Sequence, residues 1–328
     1  MEFPNSNSCF AIDSEEGFNN YALELFHFQS KSVLIYKDYL QAIHFDKRKV
    51  KNWRDIPFLP ISFFKSHKVL VEGQLVNRVF SSSGTTGTIT SSHYVSNLKM
   101  YEESFLKSFD LFYGNPNQYC ILALLPSYLE RDGSSLVYMA DLLIKKSGHI
   151  SSGFYLDQYA TLSKLLQTLK NNHQPTILIG VTFALLDLVE NFPVGFSDLI
   201  IIETGGMKGR RKELIREELH GVLKAGFKIS SIHSEYGMTE LLSQAYSKKD
   251  GFFYCPPWMK IMIREINDPF VLLPTGKTGG INIIDLANVN SCSFIATQDL
   301  GRLNFDDGFE VLGRFDNSDL RGCNLLIQ

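Results

Sequence analysis

The sequence predicts an α/β protein, with mostly parallel sheets covered by helices and a small β-rich subdomain after them. Three observations carry this reading. Short continuous apolar runs at Tyr119–Pro126, Thr176–Val181 and Leu199–Glu203 have the pattern of strands buried on both faces. Helical stretches alternate with those runs, the order expected of a parallel sheet covered on both sides. From about residue 251 Pro, Gly and short β-rich runs take over, so the expected division is a core over 1–250 and a β-rich subdomain over 251–328.

Taken in order, Phe18, Tyr21, Ala22, Leu25 and Phe26 fall at helical spacing and predict an amphipathic helix over 12–30. A second helix is expected over Tyr36–Phe45. Pro57 and Pro60 rule out a long helix across Trp53–Lys65, which reads as an extended apolar segment with a packing role. Val76, Val79 and Phe80 form a strand-like lead-in to a Ser/Gly/Thr loop. A helical stretch is expected from about His93, with a helix over Asn97–Phe112. Further helices are expected over 134–146, 158–171, 182–191 and 210–225, and a strand over Lys228–His233. Beyond residue 251 the runs Ile261–Ile266, Val271–Pro274, Gly279–Leu286 and Phe309–Arg314 predict antiparallel pairing.

Bulk composition narrows the class. The chain has 328 residues, 44% hydrophobic and 20% charged, as in an ordinary globular protein able to bury a core. A net charge of −3 gives no footprint for nucleic acid or an anionic membrane. No run is long and apolar enough to span a bilayer. The N-terminus lacks the basic and apolar blocks of a signal peptide. Five widely spaced cysteines form no zinc-like cluster, so reduced thiols and a cytoplasmic location are expected. The 25 Phe and 14 Tyr fit a large core and a greasy substrate pocket equally.

Chemistry concentrates in four stretches. The first is Phe80–Thr88, where Ser82, Ser83, Gly84, Thr85, Thr86 and Gly87 stand together. Hydroxyls and amide N–H groups on a glycine backbone cradle phosphate oxygens, and a following helix N-terminus would add a favourable dipole. The same composition also serves a plain loop. It is not the P-loop of the NTPases, because Gly87 is followed by Thr88 rather than Lys. The other stretches are Glu203–Arg211, His233–Glu240 and Phe294–Arg302, each at the end of an expected strand, where open α/β sheets bind ligands. The sequence Gly313–Asp316 follows them.

In this order the stretches resemble the signature motifs of the adenylate-forming enzymes. Ser82–Gly87 resembles their phosphate loop, Tyr236-Gly-Met-Thr-Glu240 their Tyr-Gly-x-Thr-Glu motif, Thr297–Arg302 their Thr-Gly-Asp-Leu-x-Arg motif, and Gly313-Arg-Phe-Asp316 their hinge. Gln298 stands where the family has glycine, and Asn317 and Ser318 stand where a lysine usually follows the hinge. The sequence ends soon after the hinge and resembles the LuxE family of long-chain fatty acyl-protein synthetases, as do Trp53–Lys65 and Glu203–Glu213.

The resemblance implies the N-terminal-domain fold of adenylate-forming enzymes and a ligase that uses ATP and Mg²⁺. It implies phosphate binding by Ser82–Gly87, Gly205 and Gly206 along the adenine with Tyr236 stacked on it, Gly237 among the nucleotide-binding residues, and Thr239 on the α-phosphate. It further implies Glu240 on the metal, Asp299 on the ribose with Arg314 nearby, and Cys323 as acyl acceptor, with Arg321 to favour its thiolate. The fatty acid would be activated as acyl-AMP, moved to Cys323 and handed to a partner acyl reductase. Lys208, Arg210 and Arg211 are candidates for the role of the family's missing C-terminal lysine, or form a solvated, helix-capping cluster. His233 would assist the thiol, line the pocket or be a satisfied core histidine. Two other readings stand beside this one: a ligase acting on a soluble thiol such as CoA, and a non-catalytic adenylate-binding scaffold.

Overall fold

The apolar runs do form the centre of a parallel sheet. The computed structural model describes residue 4 and residues 6–82, 90–126, 133–205 and 214–315. Helices α1 (Glu15–Ser32) and α2 (Leu34–Ala42) lead to the short strand β1 (Leu59–Pro60) and α3 (Phe63–Ser66). Next come β2 (Arg78–Ser81), β3 (Ser92–Val95), α4 (Leu98–Tyr113), β4 (Cys120–Leu124), α5 (Ser135–Ser147) and β5 (Gly153–Phe154). They are followed by α6 (Tyr159–Asn171), β6 (Thr176–Val181), α7 (Thr182–Asn191), β7 (Ile200–Thr204), α8 (Arg216–Phe227), β8 (His233–Tyr236) and β9 (Ala245–Ser247). The β-rich region holds β10 (Met259–Arg264), β11 (Gly279–Asp285), β12 (Phe294–Leu303) and β13 (Phe309–Arg314).

The larger sheet has the order β5-β4-β6-β7-β8-β9, parallel except for β9. Alternate side chains serve two cores. Ile121, Ile177, Ile179 and Ile202 face one core with α4 and α5, while Leu122, Leu124, Leu178 and Ile201 face another with α6, α7 and α8. Burial on both faces is what makes these strands read as unbroken apolar runs.

The second sheet runs β1-β12-β11-β10, with β13 also on β12. Pairing is antiparallel except at β1, where Leu59 and Pro60 lie parallel to Ile295 and Ala296. Of the segment expected to be extended over Trp53–Lys65, only the middle is: it supplies an edge strand, the position a proline tolerates, while Trp53–Asp55 forms a 3-10 turn and Phe63–Ser66 the short α3. Of the runs expected to pair antiparallel, Val271–Pro274 makes only an isolated bridge, at Leu272.

Two expectations fail. Ser92–Val95 is a strand rather than the start of a helix, pairing antiparallel with Arg78–Ser81. His93 and Val95 alternate inward, the two-residue period of a strand. The helix starts only at Leu98, after Asn97 caps the Met100 amide. The loop thus lies between paired strands, and the helix-dipole argument for it falls away. The strand expected over Lys228–His233 begins instead at His233. Lys228 ends α8 in the left-handed conformation, φ 56°, with its amide bonded to the Lys224 carbonyl.

The N-terminal helices are keyed into the second sheet by buried polar groups. Gln29 is fully buried on α1. Its Nε2 lies 3.0 Å from the Asn288 and Val289 carbonyls and from Ser293 Oγ, and its Oε1 accepts from the Ser293 amide at 2.9 Å. Replacing it with leucine of similar size would leave the Ser293 amide and the Val289 carbonyl buried without this partner, while the Asn288 carbonyl keeps Ser293 Oγ. Gln29→Leu is expected to destabilise by about 2–4 kcal/mol in urea unfolding, and a loss near zero would contradict the keying role.

Candidate functional site

The motif residues converge where the two sheets meet. Tyr236, the last residue of β8, donates its hydroxyl to Asp299 Oδ2 on β12 at 2.7 Å. Its ring packs against Phe253 and Phe309, with centroids at 5.8 and 5.3 Å, and only 8% of the residue is exposed. Arg314 lies opposite Asp299 across β12 and β13, with its Nε 3.2 Å from Asp299 Oδ1. Burial pushes the Asp299 carboxyl above its usual range, while Tyr236, Arg314 and Arg264 pull it back. The Arg314 side chain is 68% exposed, so solvent screens this pair. Residues 236, 299 and 314, far apart in sequence, thus form one polar cluster at the junction.

The chain after Tyr236 has no strand to pair with from Gly237 to Gln244, so buried side chains hold its backbone. His93 Nδ1 lies 2.9 Å from the Thr239 carbonyl, an acceptor only, which assigns the ring proton to Nδ1. Burial lowers the His93 pKa to about 4, so the ring is neutral. Asn288 donates to the Glu240 carbonyl at 2.9 Å. Asp285, fully buried at the end of β11, accepts from the Leu242 and Ser243 amides at 2.7 and 3.0 Å and from Ser243 Oγ at 2.6 Å. From α4, Ser108 donates to the Gln244 carbonyl, and Ser104 meets Ser243 and the Trp258 indole.

This scaffold aims Glu240 at the base of the phosphate-loop stretch. Burial raises the pKa of its carboxyl, and the nearby Ser91, its own amide and Arg314 oppose the rise. Ser91 and Ser82 close the base of the loop: the Ser82 amide donates to the Ser91 carbonyl at 3.0 Å, and the Ser91 amide to Ser82 Oγ at 2.9 Å. A buried carboxylate with hydroxyl neighbours suits a hard divalent cation completed by phosphate oxygens. Among the described residues no group of three or more metal-ligating side chains assembles.

At the other wall, Gly205 follows β7 with φ 68°, a conformation that favours glycine. Thr182, opening α7, donates to the Gly205 carbonyl at 2.8 Å and also meets Glu203. Glu235 on β8 accepts from Thr204 Oγ1 at 2.6 Å. Its carboxyl lies where a side chain at Gly237 would stand, so the glycine after Tyr236 has a steric reason.

Of the expected site residues, the structure brings Ser82, Gly205, Tyr236, Gly237, Thr239, Glu240, Asp299 and Arg314 around this junction. Ser83, Gly84, Thr85, Thr86, Gly87, Gly206, Lys208 and Cys323 lie outside the described residues, as do Arg210, Arg211 and Arg321. His233 is packed against Tyr113, with its Nδ1 3.3 Å from the phenol oxygen, and burial lowers its pKa to about 4. Gln298 keeps an ordinary negative φ within β12, so this strand does not require glycine there. His93, Asp285 and Asn288 escaped the sequence reading. They lie outside every motif, and only tertiary contact gives them a role.

No protein-family model matches the chain, and no curated protein matches it in sequence. Solved structures match its fold. ATP-bound MatB from Rhodopseudomonas palustris aligns over 73% of this chain and 48% of its own, with TM-score 0.56 and 15% identity. A 2-hydroxyisobutyryl-CoA ligase in complex with 2-HIB-AMP and CoA aligns over 92% and 70%, with TM-score 0.66 and 12% identity. O-succinylbenzoate coenzyme A synthetase from Bacillus subtilis, in complex with AMP, aligns over 75% and 50%, with TM-score 0.52 and 20% identity. The chain spans about half the length of the first and third. The fold is that of the N-terminal domain of adenylate-forming enzymes, with a small β-rich C-terminal region.

Glu235 gives this site a measurable pH signature. Burial raises its pKa from 4.5 to about 7, with Glu203 adding to the shift and Thr204 opposing it. The folded state therefore keeps a proton that the unfolded chain releases, so stability falls as pH rises from about 4.5 to about 7. Glu235→Gln cannot ionise and still accepts from Thr204. It should gain stability over wild type at pH 8 relative to pH 4.5, on the order of 1–3 kcal/mol in paired urea titrations. Equal differences at both pH values would contradict the shift.

Proposed function

We propose that this chain activates a carboxylic acid with ATP and passes the acyl group to a thiol. The observation that carries the reading is the convergence of Ser82, Tyr236, Glu240, Asp299 and Arg314, four motifs apart in sequence, at one junction of a fold shared with ATP- and AMP-bound ligases. In the first half-reaction a carboxylate oxygen bonds to the α-phosphorus, the bond to the bridging oxygen breaks, and pyrophosphate leaves with the electron pair. Carboxylate is a weak nucleophile and every reactant is anionic, so positioning and charge neutralisation must supply most of the rate. The loop over Ser82–Gly87 would hold phosphate, Asp299 would accept from the ribose hydroxyls, and Glu240 would hold Mg²⁺. Bound there, Mg²⁺ would supply charge neutralisation on the phosphates.

In the second half-reaction a thiolate attacks the acyl carbonyl, a thioester forms, and AMP leaves. Our finer reading is a long-chain fatty acid, Cys323 as the acceptor and an acyl reductase as the recipient, with Lys208 assisting the first step. Its support is the LuxE resemblance together with the poor suitability of the other thiols. Burial pushes Cys120 up to about 11 and Cys292 to about 12, and raises Cys9 and Cys255 further. The alternative acceptor is a soluble thiol, favoured by the CoA ligases among the structural neighbours.

Two experiments test these readings. Asp299→Ala is expected to weaken AMP binding about 10–100-fold by calorimetry, from loss of charge-assisted hydrogen bonds, and unchanged affinity would remove Asp299 from the site. Intact-mass analysis with Mg-ATP and a panel of fatty acids should reveal a hydroxylamine-labile acyl adduct on wild type that Cys323→Ala lacks. Pyrophosphate release without an adduct would favour the soluble thiol, and neither product from any acid would overturn acyl activation.

A further inference from the structure

Arg264 is a buried cation for which the proposed chemistry has assigned no task. It ends β10, is only 6% exposed, and has no carboxylate within ion-pair distance among the described residues. Neutral oxygens hold it instead. Nη1 donates to the Ile281 carbonyl and to Asn282 Oδ1, both at 2.9 Å, and Nη2 to the Thr297 carbonyl at 2.6 Å. A Cβ at Gly280 would lie 2.6 Å from Cζ, so that glycine makes the room. Asn282 turns its oxygen to the guanidinium while its Nδ2 stays buried with no hydrogen-bond partner. A charge buried without a counterion is expensive, and so is an unmatched amide. The local structure is arranged around the guanidinium.

Two features of the site depend on where that guanidinium sits. Thr297, whose carbonyl it fixes, accepts the Asp299 amide on its hydroxyl at 3.1 Å, and the hydroxyl itself donates to the Ile281 carbonyl at 2.8 Å. Arg264 thus anchors the strip that carries Asp299. Its Cζ also lies 5.5 Å from the ring of Phe315, the residue after Arg314. The Phe315 amide donates to the Gln298 carbonyl at 2.9 Å, the carbonyl between Thr297 and Asp299. The ring face presented to a cation is a favourable contact, stronger where water is excluded.

We propose that Arg264 is a positioning residue that locks the Thr297–Asp299 strip to Phe315, so that Asp299 and Arg314 meet a nucleotide as one rigid unit. The nucleotide part rests on the functional reading above; the locking part does not. Lysine would keep the charge, but one ammonium cannot span the two strand carbonyls and the amide oxygen as the planar fork does.

The test reads two quantities in wild type, Arg264→Met, Arg264→Lys, Phe315→Leu and the Arg264→Met/Phe315→Leu double variant, with Lys145→Met, on the exposed face of α5, as an exposed-cation control. The first is residue-level hydrogen exchange at the Phe315 amide relative to Ile177 and Leu178 in the large sheet. The second is the AMP dissociation constant. Arg264→Met and Phe315→Leu should each speed exchange at 315 at least tenfold with the large sheet unchanged, and raise the dissociation constant about tenfold. The double variant should be no worse than Arg264→Met alone, Arg264→Lys should recover only part of either loss, and Lys145→Met should match wild type. Unchanged exchange at 315 in the single variants would overturn the locking role, as would acceleration spread equally over the large sheet. Faster exchange at 315 in the variants, with a wild type that itself binds no AMP, would uphold the lock and overturn the nucleotide reading. Should Arg264→Met fail to fold, Phe315→Leu, altered at the solvent-accessible end of β13, decides by the same criteria.

Discussion

The stretch from Gly237 to Gln244 is held almost wholly by buried side chains, and the rest of the site depends on it. Strands fix their own backbone through a ladder, whereas this segment has none. Asp285 takes two of its amides and a hydroxyl, His93 and Asn288 take two of its carbonyls, and Ser108 takes a third. Hydrogen bonds to an anionic acceptor are stronger than neutral ones, and in a dry interior an unmade bond carries a full desolvation penalty. The segment therefore has one favourable path, and that path points Glu240 toward Ser91. It also unites the molecule, because its holders come from β3, α4 and β11, elements of three different parts of the fold.

The charges near the junction follow a common logic. Asp299, Glu240, Glu235 and Asp285 are all carboxyls whose pKa burial raises. Asp285 makes up its lost hydration with amide and hydroxyl donors, so its role is structural. Glu240 and Asp299 have fewer protein donors, Glu240 near Ser91 and Asp299 at the β12–β13 pair. Carboxylates in that position accept hydroxyls or cations well and repel phosphates. A nucleotide site built on them calls for a divalent ion and for cations elsewhere, and the sequence offers Lys208, Arg210 and Arg211 between β7 and α8.

Much of this was legible in the sequence, for identifiable reasons. The β4, β6 and β7 runs were readable because strands buried on both faces need uninterrupted apolar residues. The amphipathic helices were readable because one buried face imposes a 3.6-residue period. The motif resemblance singled out Tyr236, Glu240 and Asp299 by their order, and the structure groups these three near one another. The β2–β3 pairing was hidden by brevity, since Ser92–Val95 has too few residues to display its alternation against a helix that starts three residues later. The onset of β8 was hidden because a left-handed Lys228 carries no compositional mark. Asp285, His93, Asn288 and Arg264 were invisible for a deeper reason. Their partners lie far away in sequence, and a polar residue in an apolar strand looks the same whether it binds, catalyses or props up a neighbour.

The keying of Gln29 to Ser293 spans a sequence separation of 264 residues. Contacts of such range form late, because closing so long a loop costs entropy before any packing repays it. During synthesis the large sheet, whose strands run from 120 to 247, is complete before residue 293 exists. Until then α1 has no second sheet to cover it, and the apolar faces of α1 and α2 stay uncovered on that side. The newly made protein thus passes through a stage with a finished parallel sheet and an unclaimed N-terminal helical pair, the species in which aggregation and chaperone capture would compete with folding.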